Sequence, residues 1–227
     1  MDLSDEAAPR IGILGGTFDP VHTAHLALAR LFLDRLALDS LVFLPTGNPW
    51  QKDRRPAAPR HRLAMLALAI EESGLSASID EREIRRTGPS YTVESFFGLR
   101  REIGQRALLV LLLGADQLAR LHTWSRWKML LDMADLAIAG RPNFELETLT
   151  LDPEVAREVG NRRVDNAHLP MALNAASGQI VLLPADLGET SSSLIRKRIA
   201  AGDSDTLRDL VPSRVLEYIR SHSLYTH

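Results

Sequence analysis

The sequence contains no cysteine, which excludes disulfides, thiolate metal sites and cysteine nucleophiles together and agrees with a reducing compartment. Net charge is also nearly absent: 27 Lys+Arg against 29 Asp+Glu leave −2, too balanced for a surface that tracks a nucleic-acid backbone or an anionic membrane. Long apolar runs are lacking. A run such as Ala107 to Leu113 falls far short of the roughly 20 residues a bilayer span needs. The stretch Met1 to Pro9 is acidic and has no apolar region of the kind a leader carries. These absences predict a cytoplasmic protein, neither exported nor membrane-inserted, with no nucleic-acid or membrane partner. Two nucleotide-binding fingerprints are missing as well, Gly-x-Gly-x-x-Gly and Gly-x-x-x-x-Gly-Lys-Ser/Thr, so neither a dinucleotide-dependent dehydrogenase nor a P-loop enzyme is indicated. There is no internal repeat and no low-complexity segment.

What is present is 45% hydrophobic and 25% charged residues in a chain of 227, the composition of a packed globular protein. Short apolar runs recur, each followed by a glycine or proline turn and then a stretch with helical spacing, the pattern of βα units. Candidate strands are Ile11–Leu14, Leu41–Leu44, Leu108–Leu113, Leu136–Ala139 and Ile180–Leu183. They are apolar throughout rather than alternating, as strands buried on both faces of a parallel sheet are. Candidate helices are His22–Leu36, Arg60–Ser73, Thr92–Ile103, Ser125–Met133, Ser192–Ala201 and Pro212–Ser221, several opening on Ser, Thr or Pro. The expectation is an α/β fold with a doubly wound, mainly parallel, Rossmann-like sheet and a small C-terminal helical portion. We expect one domain over 10–227, a loose tail over 1–9, and an insertion over 143–178 with a short helix near Glu154–Glu158.

The first strand runs into Gly15-Gly16-Thr17-Phe18-Asp19-Pro20-Val21-His22-Thr23-Ala24-His25. Glycines there let the backbone turn sharply and approach a ligand while a helix begins, a turn able to cradle phosphate. His22 and His25, three apart in the first helical turn, share a face near the positive end of the helix dipole and form a donor cluster for an anion. A Gly-Gly pair alone is ordinary turn punctuation, and two histidines alone would suit zinc, but no third ligand accompanies them at metal-site spacing. Near the other end, Thr190-Ser191-Ser192-Ser193-Leu194-Ile195-Arg196 joins hydroxyls at a helix start to an arginine one turn on. That is a second anion site in form, and equally the form of a Ser-capped basic surface helix.

The first of these segments resembles the signature of the nucleotidylyltransferase superfamily, Gly-Gly-Thr-Phe-Asp-Pro-x-His-x-x-His, whose members transfer AMP or CMP onto a phosphate. Eight fixed residues coincide by chance on the order of 10⁻¹⁰ times per position if each type has about 5% frequency. The second segment resembles the superfamily's Ser/Thr-rich helix start. Within that superfamily the middle of the chain resembles the nicotinate-nucleotide adenylyltransferase family: Ser90-Tyr91-Thr92, then Leu113-Gly114-Ala115-Asp116, Thr123-Trp124 with Trp127, Gly140-Arg141-Pro142, and Val211 through Tyr225 follow its order. The resemblance covers Arg10 to Tyr225, with 143–178 matching least. Two departures stand out. Ala24 takes the usual place of glycine between the histidines, and Trp50-Gln51 stand where the family has proline and histidine, so no role for a histidine in the 45–52 loop is carried over.

The resemblance implies adenylyl transfer from ATP to nicotinate mononucleotide, a step of NAD biosynthesis. It gives His22 and His25 the α-phosphate and leaving group, and Arg196 with Ser192 and Ser193 the pyrophosphate oxygens. Backbone contacts fall to Gly15, Gly16, Thr17 and Phe18, and ribose hydroxyls to Asp116. The mononucleotide is assigned to Lys52, Ser90, Tyr91, Thr92, Trp124 and Arg141, with Trp124 as a stacking platform for the pyridine ring. Magnesium is expected, carried mainly by the ATP phosphates, since no carboxylate cluster is evident. A non-catalytic nucleotide sensor, an enzyme preferring nicotinamide mononucleotide, and assembly as a homo-oligomer stay open.

Overall fold

The computed structural model describes residues 8–47, 55–140, 150–165, 169, 178–185, 190–203 and 205–226. Its strands are β1 (Arg10–Gly16), β2 (Ser40–Pro45), β3 (Ala77–Ile79), β4 (Leu108–Gly114), β5 (Asp135–Gly140) and β6 (Ile180–Pro184). They hydrogen-bond in the order β3-β2-β1-β4-β5-β6 in one six-stranded open sheet. β1 pairs with β4, β4 with β5 and β5 with β6 in parallel. This is the doubly wound order anticipated from the apolar runs, with the order reversing at β1 and β4. β5 is buried along its whole length and β4 up to Gly114, which is why neither alternates polar with apolar residues.

The helices are α1 (Thr23–Arg35), α2 (Pro59–Ser73), α3 (Arg82–Arg85), α4 (Thr92–Ile103), α5 (Ala115–Ala119), α6 (Lys128–Leu131), α7 (Pro153–Arg162), α8 (Ser192–Ala200) and α9 (Ser213–Ser221). One expected helix is corrected: in place of Ser125–Met133 there is a 3₁₀ turn at Leu121–Thr123 and the four-residue α6. The cause is local, since Trp124 is extended (φ −79°, ψ 137°) and Arg126 takes a left-handed φ of 52°, which no α-helix accommodates. α7 is longer than expected because Pro153 opens it and the Asp152 carboxylate accepts the Glu154 N–H at 2.9 Å. Among the described residues no helix is long and apolar enough to cross a membrane.

The chain forms two compact units. One comprises 1–14, 32–42 and 91–185, with β4, β5 and β6 at its centre. Here Arg100 of α4 is buried. It donates Nε to the Met133 carbonyl at 2.7 Å and Nη1 to the Ala107 carbonyl at 2.7 Å, satisfying carbonyls at strand entrances that would otherwise be orphaned. Asp135 is fully buried and its Oδ1 accepts the Gln179 N–H at 2.9 Å. Burial raises its pKa from 3.8 to about 6.

The other unit comprises 15–31, 43–90 and 186–227. α2 and α9 pack together within it. Glu72 near the end of α2 caps α9, accepting the N–H groups of Ser213 and Arg214 at 2.9 and 3.0 Å. α2 ends on Gly74, whose φ of 64° is the left-handed cap glycine adopts without strain.

Candidate functional site

The turn after β1 carries most of the chemistry, and its hydrogen bonds show how it is held. Its carbonyls are turned toward donors of the same unit. Arg62 Nη1 donates to the Thr17 carbonyl at 2.9 Å, Arg196 Nη1 to the Asp19 carbonyl at 2.6 Å, and Ser192 Oγ to the Pro20 carbonyl at 2.9 Å. Thr23, at the start of α1, donates its N–H and its hydroxyl to the Leu210 carbonyl at 2.9 and 3.0 Å. A loop so bound on its carbonyl side is fixed before any ligand arrives.

The two glycines differ. A Cβ on Gly16 would lie 2.8 Å from the Phe18 ring, whereas one on Gly15 would meet nothing within 4 Å. Gly16 is required by the loop's own packing. Gly15 is exposed, and only something outside the described residues can require its smallness. Phe18, named above for its backbone, is itself buried with φ 49° and packs its ring edge-on against His25 at 5.1 Å and Phe43 at 5.5 Å.

His22 and His25 come together, their ring centroids 3.7 Å apart and tilted by 33°. His25 Nδ1 accepts the His22 backbone N–H at 3.2 Å, which in the neutral ring puts the proton on Nε2. His22 is 5% exposed, and its Nδ1 is buried without a partner among the described residues. Burial lowers its pKa from 6.5 to about 4, so at neutral pH it is an uncharged imidazole with one N–H to donate.

The serines at α8 divide their tasks. Ser191, not Ser192, caps the helix, its Oγ accepting the Leu194 N–H at 3.2 Å. Ser192 anchors the Pro20 carbonyl, and Ser193 Oγ accepts from Arg196 Nη2 at 3.2 Å. Arg196 is thereby tied to the His22 loop by its bond to the Asp19 carbonyl and by an ion pair with Asp19 Oδ2 at 3.7 Å. Its hydrogen bonds from Nη1 to the Asp19 carbonyl and from Nη2 to Ser193 Oγ use two of the five N–H donors of a guanidinium.

Three residues of this network carried no individual role in the sequence reading. Asp19 is 3% exposed, and its Oδ1 accepts the Tyr225 hydroxyl at 2.6 Å and the Ala57 N–H at 3.1 Å. Arg62, 1% exposed, reaches the carbonyls of Thr17, Ala57 and Gly47. Burial lowers the Arg62 pKa, opposed by Asp19 and Tyr225 nearby. The signal for Arg62 was in the spacing: it stands with Met65, Leu66 and Ala69 on the buried face of α2, where an apolar residue belongs.

Ser90 belongs to the same unit but is buried, its hydroxyl 3.4 Å from the Glu83 carbonyl. The other candidates lie in the first unit. Tyr91 precedes α4 and Thr92 begins it, both half-buried, and no side chain caps that helix among the described residues. Asp116 is exposed in the first turn of α5 and accepts from Gln117 Nε2 at 2.7 Å. The two tryptophans part company, Trp127 being buried and Trp124 half-exposed. Lys52 and Arg141 lie outside the described residues. Among the described residues no group of three or more His, Asp or Glu could hold a metal ion.

Comparison with known proteins bears on the family and the fold. The cytidylyltransferase-like family model matches residues 13–198. A protein of Chromobacterium violaceum named "Probable nicotinate-nucleotide adenylyltransferase" is 43% identical over 220 residues, covering 95% of this chain and 98% of that protein. One of the same name from Laribacter hongkongensis is 43% identical over 217 residues, covering 95% and 94%. Among solved structures, Plasmodium falciparum nicotinic acid mononucleotide adenylyltransferase complexed with NaAD has a TM-score of 0.69 at 16% identity, covering 96% of this chain and 97% of that one, a likeness of fold.

Proposed function

The chain belongs to the cytidylyltransferase-like family, and on that premise we propose that it transfers the adenylyl group of ATP to nicotinate mononucleotide, releasing pyrophosphate and forming nicotinate adenine dinucleotide, a precursor of NAD. The observation that carries this reading is the pre-fixed loop with two adjacent, tilted imidazoles and Arg196 tied to it.

A phosphate oxygen of the mononucleotide attacks the α-phosphorus in line, the bond to the β-bridging oxygen breaks, and pyrophosphate leaves with that electron pair. No covalent enzyme intermediate is required, so the protein aligns reactants and stabilises charge. His22 and His25 donate to the α-phosphate and leaving oxygens, Arg196 with Ser192 and Ser193 holds the pyrophosphate portion, and the backbone from Gly15 to Phe18 lies along the triphosphate. Asp116 accepts from ribose hydroxyls. Tyr91, Thr92 and Trp124 receive the nicotinate ring, with Ser90 holding that segment from its buried position and Lys52 and Arg141 serving the mononucleotide phosphate. The described residues supply no cage for a metal, so magnesium is assigned to the substrate, arriving as its complex with ATP. A cytoplasmic location goes with these substrates.

Acceptor choice rests on the uncapped start of α4. Backbone N–H groups there suit a carboxylate, which the positive end of the helix also favours, better than a neutral carboxamide. Mismatching one or two buried donors costs about 1–3 kcal/mol each, on the order of 10- to 10³-fold in kcat/KM. The test is purified protein with ATP, magnesium and both mononucleotides in competition, with pyrophosphate and dinucleotide products quantified. Equal use or preference for the amide overturns the acceptor, and no pyrophosphate with either overturns the reaction.

A further inference from the structure

The Tyr225 hydroxyl reaches back 206 positions in sequence to Asp19, whose own backbone carbonyl and carboxylate hold Arg196. Tyr225 is 8% exposed, Asp19 3%, and the 2.6 Å bond between them is buried. A short bond from a phenol to an ionised carboxylate is among the stronger hydrogen bonds a protein makes, and more so when buried. Asp19 is therefore gripped on one oxygen by Tyr225 and the Ala57 N–H while its other oxygen faces the Arg196 guanidinium at 3.7 Å. The same C-terminal segment also takes Thr23, next to His22, through the Leu210 carbonyl.

We propose that Tyr225 is a positioning residue for adenylyl transfer: by fixing the Asp19 carboxylate it fixes the direction in which Arg196 points. The proposal rests on the adenylyl-transfer reading given above. Tyr225 touches no substrate in it. Its effect reaches the reaction through Asp19 and then Arg196, so it should act on the rate of the bound complex rather than on substrate affinity. Misalignment of a charge-stabilising group by a fraction of a bond length is enough to slow a step that depends on positioning.

The test is a double-mutant cycle on the full chain with Tyr225→Phe and Arg196→Lys. Tyr225→Phe removes one oxygen and keeps the buried ring, and Asp19 Oδ1 retains the Ala57 N–H. It should lower kcat about tenfold while leaving both KM values within about threefold. Arg196→Lys should lower kcat on the order of a hundredfold, and the double variant should be no slower than Arg196→Lys alone, because an ammonium has no fork left to aim. Tyr218→Phe on α9, which removes a phenol bonded to His61 at 3.0 Å, is the control and should keep wild-type kcat. Thermal melts accompany each variant. Wild-type kcat in Tyr225→Phe, additive losses in the double variant, or an equal loss in Tyr218→Phe would each overturn the proposal. An inactive wild-type protein would instead overturn the reading on which it rests.

Discussion

Replacing His22 by alanine should separate a catalytic donor from an ordinary buried side chain, and the structure supplies both magnitudes. The ring is 5% exposed with pKa about 4, so it is uncharged at neutral pH, and the proposed role is that of a neutral hydrogen-bond donor. Removing one such donor from developing phosphate charge costs about 3–4 kcal/mol, or roughly 10²- to 10³-fold in kcat, with little change in the KM for ATP. Stability gives an independent check. The native pKa of about 4 lies below the unfolded value near 6.5, so between those values the unfolded chain binds more protons and stability falls as pH drops. The shift amounts to about 3 kcal/mol, absent above pH 6.5 and complete below pH 4. Alanine does not titrate. The stability difference between wild type and His22→Ala, read from urea melts in steps from pH 7 to pH 4, should therefore move by about 3 kcal/mol in favour of the variant. Steady-state kinetics at pH 7.5 supplies the other half. A variant keeping more than about a third of wild-type kcat refutes the catalytic role, and a pH-independent stability difference refutes the buried neutral imidazole.

Asp135→Asn tests the opposite sign. Its native pKa of about 6 exceeds the unfolded value near 3.8, so that group's contribution is complete below pH 3.8 and lost as pH rises through 6, about 3 kcal/mol in all. The asparagine variant should gain on wild type in melts between pH 4 and pH 7, and a constant difference would count against it. Gly15→Ala should melt with wild type yet raise the KM for ATP at least about tenfold, whereas Gly16→Ala, whose Cβ would meet the Phe18 ring at 2.8 Å, should lower Tm by several degrees, about 4 °C per kcal/mol. Unchanged ATP affinity in Gly15→Ala would remove that residue from the site. Trp127→Ala should cost about 3–5 kcal/mol of stability as a core deletion. Trp124→Ala should fold and raise only the KM for the mononucleotide, and an equal rise for ATP would end its assignment to the acceptor ring.

The strands at the centre of the fold were legible because Leu108–Leu113 and Leu136–Ala139 are apolar without interruption, a pattern that only burial on both faces explains. β3 was not, since Ala77-Ser78-Ile79 is three residues long and carries no period to read. The helix expected over Ser125–Met133 failed because Arg126 adopts φ 52°, a backbone choice that arginine does not announce as glycine would. At the candidate site, His22, His25, Ser192 and Arg196 could be singled out because their spacing within a turn of helix is visible in the sequence, and the resemblance attached roles to them. Asp19 and Tyr225 were in view, yet their pairing depends on a contact across 206 positions that only the folded chain creates. Arg62 could have been found, as the one charge on the apolar stripe of α2.

That arginine also sets how the site breathes. Its guanidinium bonds the carbonyls of Thr17, Gly47 and Ala57, each in a separate turn of the chain, so none of the three turns can lift away without withdrawing a bond from a cation 1% exposed. Opening one turn therefore weakens the hold on the other two, and independent local fluctuations are replaced by a single larger one. In native-state hydrogen exchange, amides around Thr17, Gly47 and Ala57 should share one opening free energy, and that common value should split into separate, lower ones when the guanidinium is removed.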